Sequence, residues 1–157
     1  MAREAPRRKE QHVDPLHIAR PGILVRQRLG RRSDPAQAHA LINKFSFAPV
    51  EVLGEQRRLE LETANLERMH KQGAAVLATD LAACDRWQDG LQAATRVHCP
   101  VLLVSGDCDR MTPADAVVPL RDAFTACAAC LVILPGVGHA LMQEAPQQLV
   151  DAMLAAS

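Results

Sequence analysis

Residues 100–113 read PVLLVSGDCDRMTP and residues 131–139 read LVILPGVGH, and the reading of these two stretches decides the fold. Each opens as a short run of bulky aliphatics and breaks at a glycine, with a connection of helical length between them. Continuous apolar runs bounded by turn residues read as strands covered on both faces. A strand–helix–strand connection within one sheet crosses over right-handed and leaves its strands parallel. Both strands, Val101 to Ser105 and Leu131 to Leu134, therefore end at the same edge. Asp107 and Asp109 follow the first and His139 follows the second. Neighbouring strands lie about 5 Å apart, and ligands of open α/β sheets bind at the carboxyl edge. The pattern predicts an acid–imidazole pair at that edge.

The flanking residues fit the same plan. Thr112-Pro113-Ala114-Asp115 has a hydroxyl cap, a first-turn proline and an acid near the helix start, which predicts a helix to about Ala126 with Pro119 bending it. Pro135, Gly136 and Gly138 permit a sharp reversal before His139. A closing helix from Pro146 is expected to bury Leu149, Val150, Met153 and Leu154.

Gly106-x-x-Asp109 followed by Thr112-Pro113, then Gly138-His139 followed by Glu144-x-Pro146, resembles the last third of an α/β-hydrolase. The resemblance covers residues 98–157 and, more loosely, 63–97. It implies a partial α/β-hydrolase fold, with two C-terminal parallel strands and flanking helices. It also implies hydrolysis of an ester, amide or related bond of a small molecule by an acid–His–nucleophile triad. Asp109 takes the place of the acid and His139 that of the general base, which moves the nucleophile's proton while the acid orients the ring. Asp107 is the rival acid; the G-x-x-D spacing favours Asp109 and leaves Asp107 to satisfy backbone amides in the turn.

The nucleophile of that family sits in G-x-S-x-G upstream of both partners, and the 157 residues contain no such motif. The serines are Ser33, Ser46, Ser105 and Ser157, none of them between two glycines, and Ser105 lies on the acid's own strand. The resemblance thus implies the cap and C-terminal part of a longer hydrolase, whose nucleophile (Ser, Asp or Cys) is unassigned. Such a part is expected to be near inert alone, because loss of a triad nucleophile costs about six orders of magnitude in turnover. The alternative is a non-catalytic interaction module. Its unpaired Val101–Ser105 edge would recruit a strand, either from a second copy or from a separately encoded N-terminal half.

Upstream, residues 35–97 read as a helical cap-like segment and return linker. Ser33 or Asp34 caps a helix from Pro35 with the stripe Ala38, Leu41, Ile42 and Phe45. A second helix is expected from Val50 to Lys71, and a third opens at Thr79-Asp80-Leu81, with Trp87 packed near its end. Residues 1–34 form a basic leader: up to Pro35 there are nine Lys/Arg against four acids, without the aromatic or Gly-rich interleaving of a nucleic-acid arm.

Composition narrows the classes. Eighteen Lys+Arg balance eighteen Asp+Glu, so net charge points to neither nucleic acid nor membrane. One Trp, three Phe and no Tyr make no stacking platform for single-stranded nucleic acid. No apolar run approaches the roughly 20 residues of a membrane span, and no signal-peptide pattern opens the chain. Five cysteines without an export signal read as free thiols of a cytoplasmic protein rather than a disulfide framework. Cys127-x-x-Cys130 ends a helix and opens a strand, the reverse of a thioredoxin-type motif, and reads as small buried hydrophobes. The histidines other than His139 (His12, His17, His39, His70 and His98) show no ligand spacing, so neither a metal nor a cofactor is assigned.

Overall fold

The computed structural model describes residues 35–156. In order, the elements are α1 Pro35–Ser46, α2 Val50–Leu53, α3 Glu55–Gln72, α4 Ala74–Arg86, α5 Gly90–Ala94, β1 Val101–Gly106, α6 Ala114–Ala123, β2 Ala129–Leu134, α7 Leu141–Glu144 and α8 Pro146–Ala155. The basic stretch 1–34 and the cap expected from Ser33 or Asp34 lie outside the described residues.

β1 and β2 are parallel and paired from Val101↔Ala129 to Gly106↔Leu134. The strand–helix–strand unit is as expected, with each strand running past its aliphatic run because the ladder is made by backbone, not by side chains. Helices α6 and α8 both lie against the two strands. Leu134, Val137 and Ala145 are buried together, and the register partners Val104 and Val132 pack onto them with Leu141, Leu149 and Ala152.

The helix after β1 is shorter than expected. It begins at Ala114 with no side-chain cap and ends at Ala123, with Pro119 inside it. Thr112 does not cap it, because Pro113, which has no hydroxyl, occupies the cap position. The stripe expected on the closing helix is also corrected. Leu149 and Ala152 face the core, whereas Val150, Met153 and Leu154 are 46, 55 and 70% exposed. A ten-residue helix that is apolar on more than one face offers two plausible stripes, and periodicity cannot choose between them.

The helical layer is built on a partly polar seam. On α1 the buried residues are Ala38, His39, Asn43 and Ser46, while Leu41, Ile42 and Phe45 are half-buried. Asn43 donates to the Glu62 carbonyl at 3.1 Å and accepts from Asn65 at 2.9 Å, joining α1 to α3. Buried amides need such partners, so the seam follows the asparagines rather than the aliphatics. The single helix expected from Val50 to Lys71 is broken at Gly54, whose φ of +78° is closed to most side chains. Phe47 is fully buried and clusters with Leu61 of α3 and Ala140 of the loop after β2, with Leu53 against them. That cluster fastens the helical layer to the sheet's carboxyl edge.

Helix α4 starts at Ala74, not at Thr79, whose hydroxyl bonds back to the Ala75 carbonyl at 2.9 Å. It packs on α3 and buries no residue. Trp87, expected to pack, is 68% exposed. The described cysteines are all free, as expected; Cys127 is half-buried and Cys130 exposed, so that pair is not the pair of buried hydrophobes anticipated. Among the described residues no helix is long and apolar enough to cross a membrane.

Candidate active site

The loops that follow β1 and β2 are laced together before any side-chain chemistry begins. The Asp107 amide donates to the Leu134 carbonyl at 3.1 Å, continuing the sheet ladder past Gly106. The Cys108 amide donates to the Val137 carbonyl at 2.9 Å, and the Asp107 carboxylate accepts from the Gly136 amide at 2.7 Å. Asp107 therefore satisfies a turn amide, the role its position implied. Gly106 fits because the Val137 carbonyl lies where a side chain would project.

The lacing sets Asp109 against His139. Asp109 is buried, with a side chain only 4% exposed, while the His139 side chain is 38% exposed. Asp109 Oδ2 is 2.9 Å from His139 Nδ1. Its other oxygen, Oδ1, accepts from the Met111 and Thr112 amides, both at 2.8 Å. An ionised carboxylate only accepts, so Nδ1 carries a proton toward Asp109. The Nε2 lone pair of the neutral ring is left to accept another.

Electrostatics follow the geometry. The hydrogen bond from Asp109 pushes the His139 pKa above its ordinary value, partial burial opposes this, and the charges of Asp109 and Glu144 add to the rise. Cys108, between the two aspartates, is pushed up by desolvation, then by its hydrogen bond to Asp107 and by the charges of Asp107 and Glu144. A thiol held protonated in this way is a poor nucleophile.

The described serines do not complete a triad with His139. Ser105 is buried within β1. Ser46 Oγ donates to the Ile42 carbonyl at 2.8 Å and lies 3.7 Å from Met111 Sδ. Among the described residues no hydrogen bond joins either hydroxyl to His139, and no group of three His, Cys, Asp or Glu could hold a metal ion.

Two groups that sequence reasoning left without a role fasten this region, Glu144 at the His139 loop and Arg58 at the end of α1. Glu144 Oε2 accepts from the Gly138 amide at 3.0 Å and from the Ala48 amide at 2.8 Å. Arg58 donates to the carbonyls of Lys44, Phe47 and Ala48 and pairs with Glu62 at 2.6 Å, capping the end of α1. The Ala140 amide adds a bond to the Ser46 carbonyl at 2.9 Å. Glu144 was visible as the acid of the E-x-P exit; nothing in the sequence paired it with Ala48, ninety-six positions away. An open groove of about 610 Å³ lies among α1, α2 and α3, with Asn43, Lys44, Glu51, Arg58 and Glu62 in its wall; Arg110 joins it from the loop after β1, and neither Asp109 nor His139 lines it.

Parallel strands clad by helices, with a buried acid oriented on an imidazole at their common edge, define an α/β-hydrolase type of fold. The family described as TAP-like protein (Abhydrolase_4) matches residues 70–156. The chain belongs to this α/β-hydrolase family. Its structure is similar to that of a thermophilic esterase (20% identity, TM-score 0.61, covering 85% of this chain and 49% of that one). It is also similar to a serine hydrolase involved in carbazole degradation, the CarC enzyme (16%, 0.54, 78% and 47%). A third is MGS-M2, an α/β-hydrolase from a Medee basin deep-sea metagenome library (19%, 0.53, 86% and 47%). At these identities the likeness is one of fold, and the chain spans about half the length of each of these proteins. No curated protein sequence matches it.

Proposed function

We propose that this chain supplies the acid and the general base of a serine-type α/β-hydrolase acting on an ester or related bond of a small molecule. Asp109 orients His139 and stabilises the imidazolium; His139 Nε2 takes the proton of the nucleophile and returns it to the leaving group. The observation that carries the reading is the 2.9 Å contact between a buried carboxylate and a half-exposed imidazole at one sheet edge. The names of the similar structures, an esterase and a serine hydrolase among them, favour acyl transfer through a serine. Residues 35–97 would cap the substrate groove. The nucleophile elbow would come from a strand–G-x-S-x-G–helix segment that these 157 residues do not contain, so the chain by itself is read as inactive, and its free thiols accord with a cytoplasmic location.

A fluorophosphonate probe tests this directly. The chain alone should not be labelled; joined to an elbow-bearing N-terminal half it should be, and His139→Ala should abolish labelling. Labelling of a serine in the isolated chain would sink the proposal.

A second reading is supported by the sheet itself, which has two strands among the described residues and leaves one edge of β1 unpaired. An open edge recruits another strand, so the chain would act as a non-catalytic module that pairs with a second copy or with a complementing half. A stable homodimer in light-scattering measurements, lost when proline replaces Leu103 at the strand centre, would favour this reading over the first.

A further inference from the structure

We infer that Glu144 is a positioning residue: its carboxylate staples the His139 loop to the helical layer and so holds the imidazole on Asp109. The inference deepens the reading of Asp109 and His139 as a catalytic pair and rests on it.

Three observations converge on this side chain. One oxygen, Oε2, takes two backbone amides from distant parts of the chain: Gly138, immediately before His139, at 3.0 Å, and Ala48, beyond the end of α1, at 2.8 Å. Hydrogen bonds to an ionised acceptor are about twice as strong as neutral ones, and here both donors are backbone groups that cannot swing away. Next, the two stapled segments are in close contact. A methyl group at Gly138 would lie 2.5 Å from the Ala48 nitrogen, 2.6 Å from the Phe47 carbonyl carbon and 2.8 Å from Glu144 Oε1. Finally, Oε1 is buried with no hydrogen-bond partner among the described residues. An unsatisfied buried oxygen is costly, and its retention is accounted for if the carboxylate's task is to fix the backbone on either side of it.

Asp109 alone does not settle where the ring sits. It fixes Nδ1 at one point, whereas the ring's approach depends on the backbone of residues 138–140. That backbone is tied at Gly138 by Glu144 and at Ala140 by the Ser46 carbonyl. Without the Glu144 staple the loop keeps the second tie and its apolar contacts, so the fold persists while the Nδ1–Oδ2 alignment loosens.

The test is magnetic resonance on the whole chain, read at the proton between His139 Nδ1 and Asp109 and at the His139 titration midpoint; the charged groups acting on that ring are Asp109 and Glu144. The wild type should show a low-field Nδ1–H resonance and slow exchange of the Ala48 and Gly138 amides. Glu144→Ala should lose the resonance and lower the midpoint. Glu144→Gln, whose amide oxygen can still accept both bonds, should recover the resonance. Loss in Asp109→Asn but retention in Glu144→Ala overturns the inference and leaves the catalytic pair standing. Retention in both variants overturns the pair as well. If Glu144→Ala does not fold, the wild-type exchange rates still decide: unprotected Ala48 and Gly138 amides mean there is no staple.

Discussion

Asp109 divides its carboxylate between two tasks, with Oδ2 at 2.9 Å from His139 Nδ1 and Oδ1 closing the turn onto Met111 and Thr112. The group that orients the ring is thus itself oriented by its own loop. Asp107, two residues earlier, points instead to Gly136. Two residues apart, the acids would share a face if the strand continued; the turn that begins at Asp107 breaks the alternation and separates them.

Substitution at Asp109 should separate these tasks. Asp109→Ala leaves two half-buried amides without an acceptor and should cost about 2 kcal/mol in urea unfolding. Asp109→Asn keeps the turn but presents an N–H to Nδ1, which moves the ring proton to Nε2. Stability should change little. A reconstituted enzyme should lose about four orders of magnitude in kcat, as expected when a triad histidine is left in the wrong tautomer.

The raised pKa of His139 gives stability a pH dependence of known sign. The group binds its proton more tightly when folded, so its contribution is fully present below the ordinary value of 6.5 and is lost as pH rises through the higher folded value. Urea midpoints should therefore fall from mildly acidic to mildly alkaline pH, and Asp109→Asn should flatten that fall. In a reconstituted hydrolase the same shift moves the acid limb of the rate profile above 6.5, because only the neutral ring can act as base.

Gly138→Ala should be among the most damaging single-methyl changes. The added carbon meets backbone on one side and the Glu144 carboxylate on the other, and overpacking of this kind costs about 1–3 kcal/mol. A thermal melt compared with that of Gly136→Ala distinguishes steric from backbone effects, since an alanine at Gly136 would be strained by the φ of +70° but would meet only one side-chain atom of Val52.

Thiol reactivity should follow exposure and charge. Cys84, Cys99 and Cys130 are exposed and should react with a maleimide in the native state. Cys108, with its thiol pushed up beside Asp107, should lag well behind them at neutral pH. Peptide mapping after timed labelling reads the order, and a Cys108 that reacts first would contradict the geometry.

The two faces of α8 make opposite predictions. Met153→Lys and Leu154→Lys, on the exposed face, should change unfolding free energy by no more than about 0.5 kcal/mol. Leu149→Ala, on the sheet side, should cost about 2 kcal/mol, the low end of the range for leucine truncation because the side chain is only half-buried.

Much of the C-terminal part could be read without coordinates. The aliphatic runs marked β1 and β2, their order implied parallel pairing, and the spacing of Asp109 and His139 from the strand ends put the two groups at one edge. Helix boundaries were less legible. Gly54 looked like one residue in a long charged helix, yet its positive φ divides α2 from α3. Thr112 looked like a cap, but the helix starts one residue later and Pro113 stands at the cap position. Both misreadings arise because neighbouring residues offer competing boundary signals, and element ends shift by a residue or two between them.

The sequence by itself determined the parallel strand pair, the acid and the imidazole, because each depends on local pattern and on the fixed handedness of a short connection. Only the tertiary structure decided what holds the imidazole in place. The Glu144 staple to Ala48, the Arg58 cap on α1 and the Asn43–Asn65 seam join residues by two-atom contacts across long separations. A contact of that kind leaves no periodicity in the chain and exists only once two elements have packed at a particular distance.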